Sequence, residues 1–212
     1  MYTSRSVQRI LMTRSLNPVP PNTNTAASIL FAAREILDRE GLEAVAMRPV
    51  AKQVGVTPMA IYRHYANRAS LLNAIADKGF SDLAAQVQTL RLYGSVQVQL
   101  LKVADVFLST ALRSPNLYKL MFLAPREGAR LYPRDFKAGR SPTFSPTVKI
   151  LEDAMRAGEL RADDAIEIAF EMSALSHGLI MLYLGGRVGL SAQKFRLLHQ
   201  HSFRRYLDGL RP

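Results

Sequence analysis

Cysteine is absent from the chain. That excludes disulfide frameworks, thiolate zinc sites, iron–sulfur clusters and cysteine nucleophiles together, and it fits a reducing compartment. Acidic residues are scarce: 17 Asp plus Glu stand against 28 Lys plus Arg, a formal charge of +11. A surplus of that size suits a polyanion partner or an anionic surface and says nothing of fold. Long apolar runs are also missing. The most apolar window, Phe170 to Gly186, holds Glu171 and His177 and is shorter than the roughly 20 residues a spanning helix needs, so no membrane partner is expected. The N-terminal MYTSRSVQRILMTRS lacks an apolar core of signal-peptide length. Secretion is therefore not expected and the cytoplasm is, with a transit peptide as the minor alternative for this Arg-bearing, acid-free stretch.

The marks of an enzyme are missing too. GGRVG at 185–189 follows a helical pattern rather than a strand, so it fails the context test for a phosphate loop. His199 and His201 lie two apart on an expected helix and face nearly opposite sides, which excludes one shared metal. No local signature gathers Ser, His and a carboxylate. We expect no catalytic residue, no metal site and no cofactor.

What remains is ordinary for a folded protein: 212 residues, 48% apolar and 21% charged, about one to two domains. Residues 1–25 read as a tail, with Arg5, Arg9 and Arg14 and then NPVPPNTNT, whose prolines forbid helix. It is expected to be a disordered basic extension, or the result of a start upstream of a true start at Met12; an arm touching phosphates is the functional alternative. From residue 26 apolar spacing is helical and strand alternation is absent, so the fold class is all-α. Ile29, Leu30, Ala33, Ile36 and Leu37 form a first stripe that stops at Gly41. Short helices follow at 48–54 and after Thr57-Pro58, then longer ones over about 72–90 and 101–112, and one over 116–123. The stretch 124–142, dense in Pro, Gly and Arg, reads as a mobile loop with one helical turn. Helices resume at about 143–157, 162–187 and 191–209. The helix over 162–187 carries two apolar stripes, so it is either a central core helix or a dimer face.

Residues 47–68, MRPVAKQVGVTPMAIYRHYANR, carry the chemistry. Two short helices joined near a glycine form a helix-turn-helix pattern. Ala51 is small where the second helix must approach, Gly55 can take the left-handed conformation of the turn, and Ile61 points back over Val50 and Val54. Thr57 caps the second helix and Pro58 suits its first position, and the N–H groups there would suit a phosphate oxygen. Thr57, Met59, Ala60, Tyr62, Arg63 and His64 then face outward. Arg48, Lys52, Arg63 and Arg68 add four positive charges with no acid among them, a footprint for phosphates. Two core helices meeting at a glycine would look similar on spacing alone.

At this point the sequence resembles the TetR family of transcriptional regulators. The match lies in Gly41-Leu42 closing the first helix, in the spacing of Ala51, Gly55 and Ile61, in the Tyr62/Tyr65 step, and in Arg68 before Leu71-Leu72. SPNLYKLMF at 114–122 and SALSHGLIMLYLGG at 173–186 resemble a subgroup with His-Gly in its C-terminal domain, although Ser176 stands where that subgroup often has Trp. Arg68 replaces the usual Lys with the charge kept, and Ala46-Met47 lacks the usual hydroxyl.

The resemblance implies a DNA-binding head at 26–72 and an effector-binding and dimerisation domain at 73–212. It also implies a homodimer through the helices near 162–187 and 191–209, a pseudo-palindromic double-stranded DNA operator, and repression relieved by a small, apolar effector. The DNA-facing residues are expected to be Arg48, Lys52, Thr57, Pro58, Met59, Ala60, Tyr62, Arg63, His64 and Arg68, with Tyr65 packing on the first helix instead. For the effector the candidates are Phe107, Tyr118, Met121, Phe122, His177 and Met181. Core packing explains those aromatic and Met residues equally well, and His177 is either a satisfied core histidine or a polar group of the pocket. The alternative from another class is an all-helical small-molecule binder or enzyme whose 47–68 segment is merely core.

Overall fold

The computed structural model describes residues 25–212, so the basic tail and its possible arm lie outside the described residues, Thr25 excepted. Ten α-helices and one 3-10 turn make up the described chain: α1 Thr25–Glu40, α2 Met47–Val54, α3 Pro58–Tyr62, α4 Arg68–Gln88, α5 Val96–Arg113, α6 Pro115–Phe122, α7 Arg134–Lys137, α8 Ser145–Arg156, α9 Ala165–Leu184 and α10 Ala192–Asp208. Local chemistry sets most of these bounds. Gly41 at φ 89° closes α1, and Asn67 and Ser70 form a reciprocal capping box at the start of α4. The Asp164 carboxylate accepts from Ile166 N and Glu167 N ahead of α9, and Ser191 Oγ accepts from Lys194 N ahead of α10.

Helices α1 to α3 bury one apolar seam each and share a core of Ile29, Leu37, Val50, Ala51 and Ile61. Full burial of one such aliphatic side chain contributes roughly 1.5–3 kcal/mol. That core does not end with the head. It continues along α4 to Leu83 and onto Leu117, Leu120 and Met121 of α6. Asn116 at the start of α6 donates to the Leu37 carbonyl at 3.0 Å, which also accepts from Gly41 N, and to the Asp38 carbonyl at 3.3 Å, one of the end carbonyls of α1. A second core joins α5, α8, α9 and α10, and a third, around Tyr118, Ile180 and Phe195, fills the space between α5, α6, α9 and α10.

Helices α4 and α6 pack tightly against each other at Gly79. A Cβ there would stand 2.7 Å from Met121 Sδ and 3.2 Å from a Leu117 methyl. The end of the Met121 side chain can swing aside for one methyl; it cannot for a branched side chain with Leu117 alongside. Gly79→Val is therefore expected to cost about 1–3 kcal/mol by overpacking and Gly79→Ala much less, as read by urea denaturation at fixed pH.

The stretch over 124–142 holds its expected helical turn, α7, but is more organised than its punctuation suggests. Buried Asp135 gathers it: the carboxylate accepts from Leu131 N at 2.8 Å, from Arg134 Nε and Nη2, and from Arg140 Nη1 at 3.1 Å. The Arg134 hydrogen bonds, and after them the Leu131 N–H, hold this carboxyl well below the usual range.

Helix α9 corrects another expectation. It is 20 residues long and apolar enough, by length and composition, to cross a membrane, so shortness does not exclude that. Its polar groups have partners within the fold instead: Glu171 accepts from the Tyr206 hydroxyl, Ser176 pairs with His199 at 2.9 Å, and His177 pairs with Tyr118. Ala165, Ile168, Ala169, Met172, Ser176 and Ile180 face the core, whereas Ala174, Gly178 and Leu182 lie exposed along the other side and Phe170, part-exposed, stacks on Tyr132 with ring centroids 4.0 Å apart.

Candidate nucleic-acid interface and ligand cavity

In the head, α2 ends at Gly55, which takes the left-handed conformation at φ 77° while its N–H and that of Val56 return to the Ala51 carbonyl. The chain then turns through Thr57 into α3. Ile61 is fully buried, and Ala51 beneath it is 1% exposed. A buried Ile61 obliges the other side of a five-residue helix to face out. Met59 is 66% exposed and Tyr62 47%, and Thr57, Pro58, Arg63 and His64 are exposed beside them, with Ala60 half-buried. Arg48 and Lys52 of α2 flank this surface in solvent.

Two sequence expectations need correction here. The N-terminus of α3 does not offer a set of free N–H groups to a phosphate. Pro58 has none, and the Ala60 N–H is already taken by Thr57 Oγ1 at 3.3 Å. Arg68 does not face outward with the others. Its Nε donates to the Val45 carbonyl and its Nη2 to the Leu42 carbonyl, both at 2.7 Å, with Glu43 at 3.6 Å. Those carbonyls belong to the turn just before α2, so Arg68 clasps the first residue of α4 to the helix-turn-helix. Tyr65 is half-buried, and its hydroxyl donates to the Ala26 carbonyl of α1 at 3.4 Å.

The second site is a part-open cavity of about 330 Å³ lined by α4, α5, α6, α8, α9, α10 and the 124–144 stretch. That volume suits a small ligand, and few convergent polar groups in an apolar wall are what such sites present. Of the expected residues, Phe107, Met121, Phe122 and His177 line it. Tyr118 and Met181 do not. Tyr118 is fully buried in the third core and reaches the wall only by its bond to His177 Nδ1, at 2.6 Å. Met181, one helical turn beyond His177, is half-buried and lies outside the cavity lining. His177 is thus both alternatives at once: hydrogen-bonded in the core and exposed to the cavity. Burial lowers its pKa to about 4 and pushes the Tyr118 hydroxyl up, so both groups are neutral at pH 7.

Sequence reasoning missed the other half of the cavity. Phe136, Ser141, Thr143 and Phe144 contribute from the 124–144 stretch, and Arg126 and Arg130 stand at its Phe80 end. Their guanidinium carbons lie 5.1 Å and 5.7 Å from the Phe80 ring. The clustering of aromatic and basic residues in that stretch was the available signal. Among the described residues no group of three His, Asp or Glu could hold a metal, and His199 and His201 point to core and solvent respectively.

Residues 100–209, about half of the chain, match the family model of the tetracyclin repressor-like C-terminal domain. Residues 29–75 match that of bacterial regulatory proteins of the tetR family. The chain belongs to the TetR family. The HTH-type transcriptional repressor DrrR1 of Streptomyces coeruleorubidus is 37% identical to it over 59 residues, 28% of this chain and 22% of that repressor. This chain therefore spans only about a fifth of that relative's length. The tetracycline repressor protein class A from transposon 1721 of Escherichia coli is 25% identical over 170 residues, covering 78% of this chain and 68% of the repressor. A solved protein of unknown function from Rhodococcus sp. RHA1 is 26% identical, with a TM-score of 0.73 over 92% of this chain and 100% of that one. The TetR family is one of regulators, typically not of enzymes, and its all-helical fold with an N-terminal helix-turn-helix is the fold seen here.

Proposed function

We propose that this TetR-family chain is a sequence-specific DNA-binding regulator, a cytoplasmic repressor that a small molecule in the 330 Å³ cavity releases from its operator. The observation that carries the reading is the outward surface of α3: Met59, Tyr62, Arg63 and His64 stand in solvent over a buried Ile61, with Arg48 and Lys52 beside them. Base edges would be read by Tyr62, Arg63, His64, Met59 and Ala60, the last two by apolar contact with a thymine methyl, while Arg48 and Lys52 would hold phosphates. The boundaries at 26–72 and 73–212 assign this work to the head and ligand binding to the remainder. The alternative, a helical binder or enzyme with 47–68 in its core, needs that surface to be inside.

A gel shift on DNA from the protein's own promoter region, at stated salt, is the direct test. Discrimination of one site from random DNA supports the reading, and equal affinity for all sequences sinks it.

The operator would be pseudo-palindromic because two heads in a dimer meet successive major grooves about 34–36 Å apart. The exposed line of Ala174, Gly178 and Leu182 on α9, with exposed Leu197 on α10, is the face proposed for pairing. Small residues there allow close helix approach, and a twofold contact places each residue against its own copy or neighbour. Leu182→Glu is expected to convert the dimer to monomer at micromolar concentration, measured by light scattering. It should also cut operator affinity while leaving the helical circular dichroism unchanged. A variant that stays dimeric would assign pairing to another face. A ligand acts in this scheme by favouring one spacing of the two heads over another.

A further inference from the structure

We propose that the effector is a compact amphiphile carrying a carboxylate, whose anion is received by Arg126 and Arg130. This rests on the ligand-cavity reading above and adds a charged group to the small, apolar effector expected from sequence. Arg126 is the decisive residue. Its side chain is only 8% exposed, yet it lines the cavity, and its one carboxylate partner is Asp77 of α4, bound through Nη1 at 3.0 Å and itself 68% exposed. Among the described residues no protein group pairs with its Nε or Nη2. Those two donors are not sealed inside the protein, since among the described residues Thr110 Oγ1 is the one buried side-chain N or O atom without a partner, so they stand open to an incoming acceptor.

Arg130 is exposed beside it and also approaches Phe80, its Nε donating to the Arg140 carbonyl. Two guanidinium groups therefore converge on one end of the cavity against the single carboxylate of Asp77. The same stretch, 124–142, carries five basic residues and two acidic ones, Glu127 and Asp135. Asp135 is fully engaged by Arg134, Arg140 and Leu131 N, so it does not neutralise Arg126. The rest of the wall, with Phe107, Phe122, Phe136 and Phe144, is apolar and aromatic. At the ~30 Å³ a water occupies in the liquid, a cavity of about 330 Å³ holds a body of on the order of ten heavy atoms.

Regulation follows from the same contact. An incoming carboxylate competes with Asp77 for Arg126, and Asp77 lies on α4, the helix whose first residue Arg68 clasps to the head. Binding would thus loosen one tie between α4 and the cavity rim.

The test is calorimetric titration and thermal shift of the full chain with 3-phenylpropanoate, octanoate, and the primary amide and amine of each skeleton. Binding to the native state raises Tm. The acids are expected to bind about ten- to a hundredfold more tightly than their amides, the range of a charge-assisted hydrogen bond. The amines should bind most weakly. Arg126→Gln should bring acid and amide to equal affinity without weakening the amide, and Asp77→Asn should tighten the acid up to about fivefold by removing a competitor. Amide equal to or tighter than acid in the wild type overturns the anion assignment and leaves the cavity reading standing. No shift with any of the six compounds overturns both. Should Arg126→Gln fail to fold, the comparison of acid and amide on the wild type decides alone.

Discussion

Arg63→Ala is expected to weaken operator binding by between about thirtyfold and twenty-thousandfold without unfolding the protein. The size comes from symmetry. One lost base or phosphate contact costs about 1–3 kcal/mol, and in a homodimer every substitution removes two, giving about 2–6 kcal/mol. The protein itself loses little, because Arg63 is exposed and its side chain makes no hydrogen bond or ion pair among the described residues; its backbone N–H, which donates to the Ile61 carbonyl, survives the substitution. Tyr62→Ala should behave alike. The salt dependence separates two roles for Arg63. If it holds a phosphate, the slope of log K against log salt falls by about 1.8 for the pair of heads. If it reads a base, the slope is unchanged and discrimination between operators relaxes at one position of each half-site. Wild-type affinity and specificity in both variants would rule out α3 as the reading element. Arg68→Ala is the informative contrast. It also lowers DNA binding, but through the lost clasp on the Leu42 and Val45 carbonyls, so thermal stability falls with it.

Acidification from pH 7 to pH 5 is expected to destabilise the native protein by about 4 kcal/mol, a large part of the ~5–15 kcal/mol that holds a domain folded. Two histidines are responsible. Burial lowers the pKa of His177 to about 4, and burial with the Arg196 charge does the same for His199. Unfolded, each titrates near 6.5. Between pH 6.5 and 4 the unfolded chain therefore binds more protons than the native one, and stability rises with pH across that window. It is complete above about 6.5 and is lost as pH falls toward 4, at about 2 kcal/mol per histidine by pH 5. The carboxylates of Asp135, Asp153 and Asp164 are held low by their hydrogen bonds. Their contribution fades only below the ordinary carboxylate range, so the interval from pH 7 to 5 isolates the histidines.

Urea denaturation at pH 7 and pH 5 measures the effect. His177→Gln and His199→Gln should each halve the difference between the two pH values, although each costs some stability at pH 7 by disturbing Tyr118 or Ser176. A wild type equally stable at both pH values, or variants with undiminished pH dependence, would show that these side chains are not buried as neutral groups.

The amino-acid sequence alone determined the helices, the helix-turn-helix and its outward surface. Those depend on neighbours within a few positions. Ile61 must turn inward over Ala51, Gly55 must open the turn, and Thr57-Pro58 must start the next helix, so Met59, Tyr62 and Arg63 have only solvent left to face. Contacts between distant segments were decided by the tertiary structure. Arg68 looks like another phosphate ligand in the sequence because the carbonyls it binds lie 23 and 26 residues upstream. Tyr118 and His177, 59 residues apart, read as two cavity residues and turn out to be one wall residue and the core hydroxyl hydrogen-bonded to it. Arg126 reads as one charge in a basic loop until the docking of that loop on α4 and α5 brings it, 49 residues from Asp77, to the rim of an aromatic cavity. Helical periodicity says which side of a helix is apolar, whereas which helix that side meets, and whether the meeting leaves a void, depends on how all the helices pack at once.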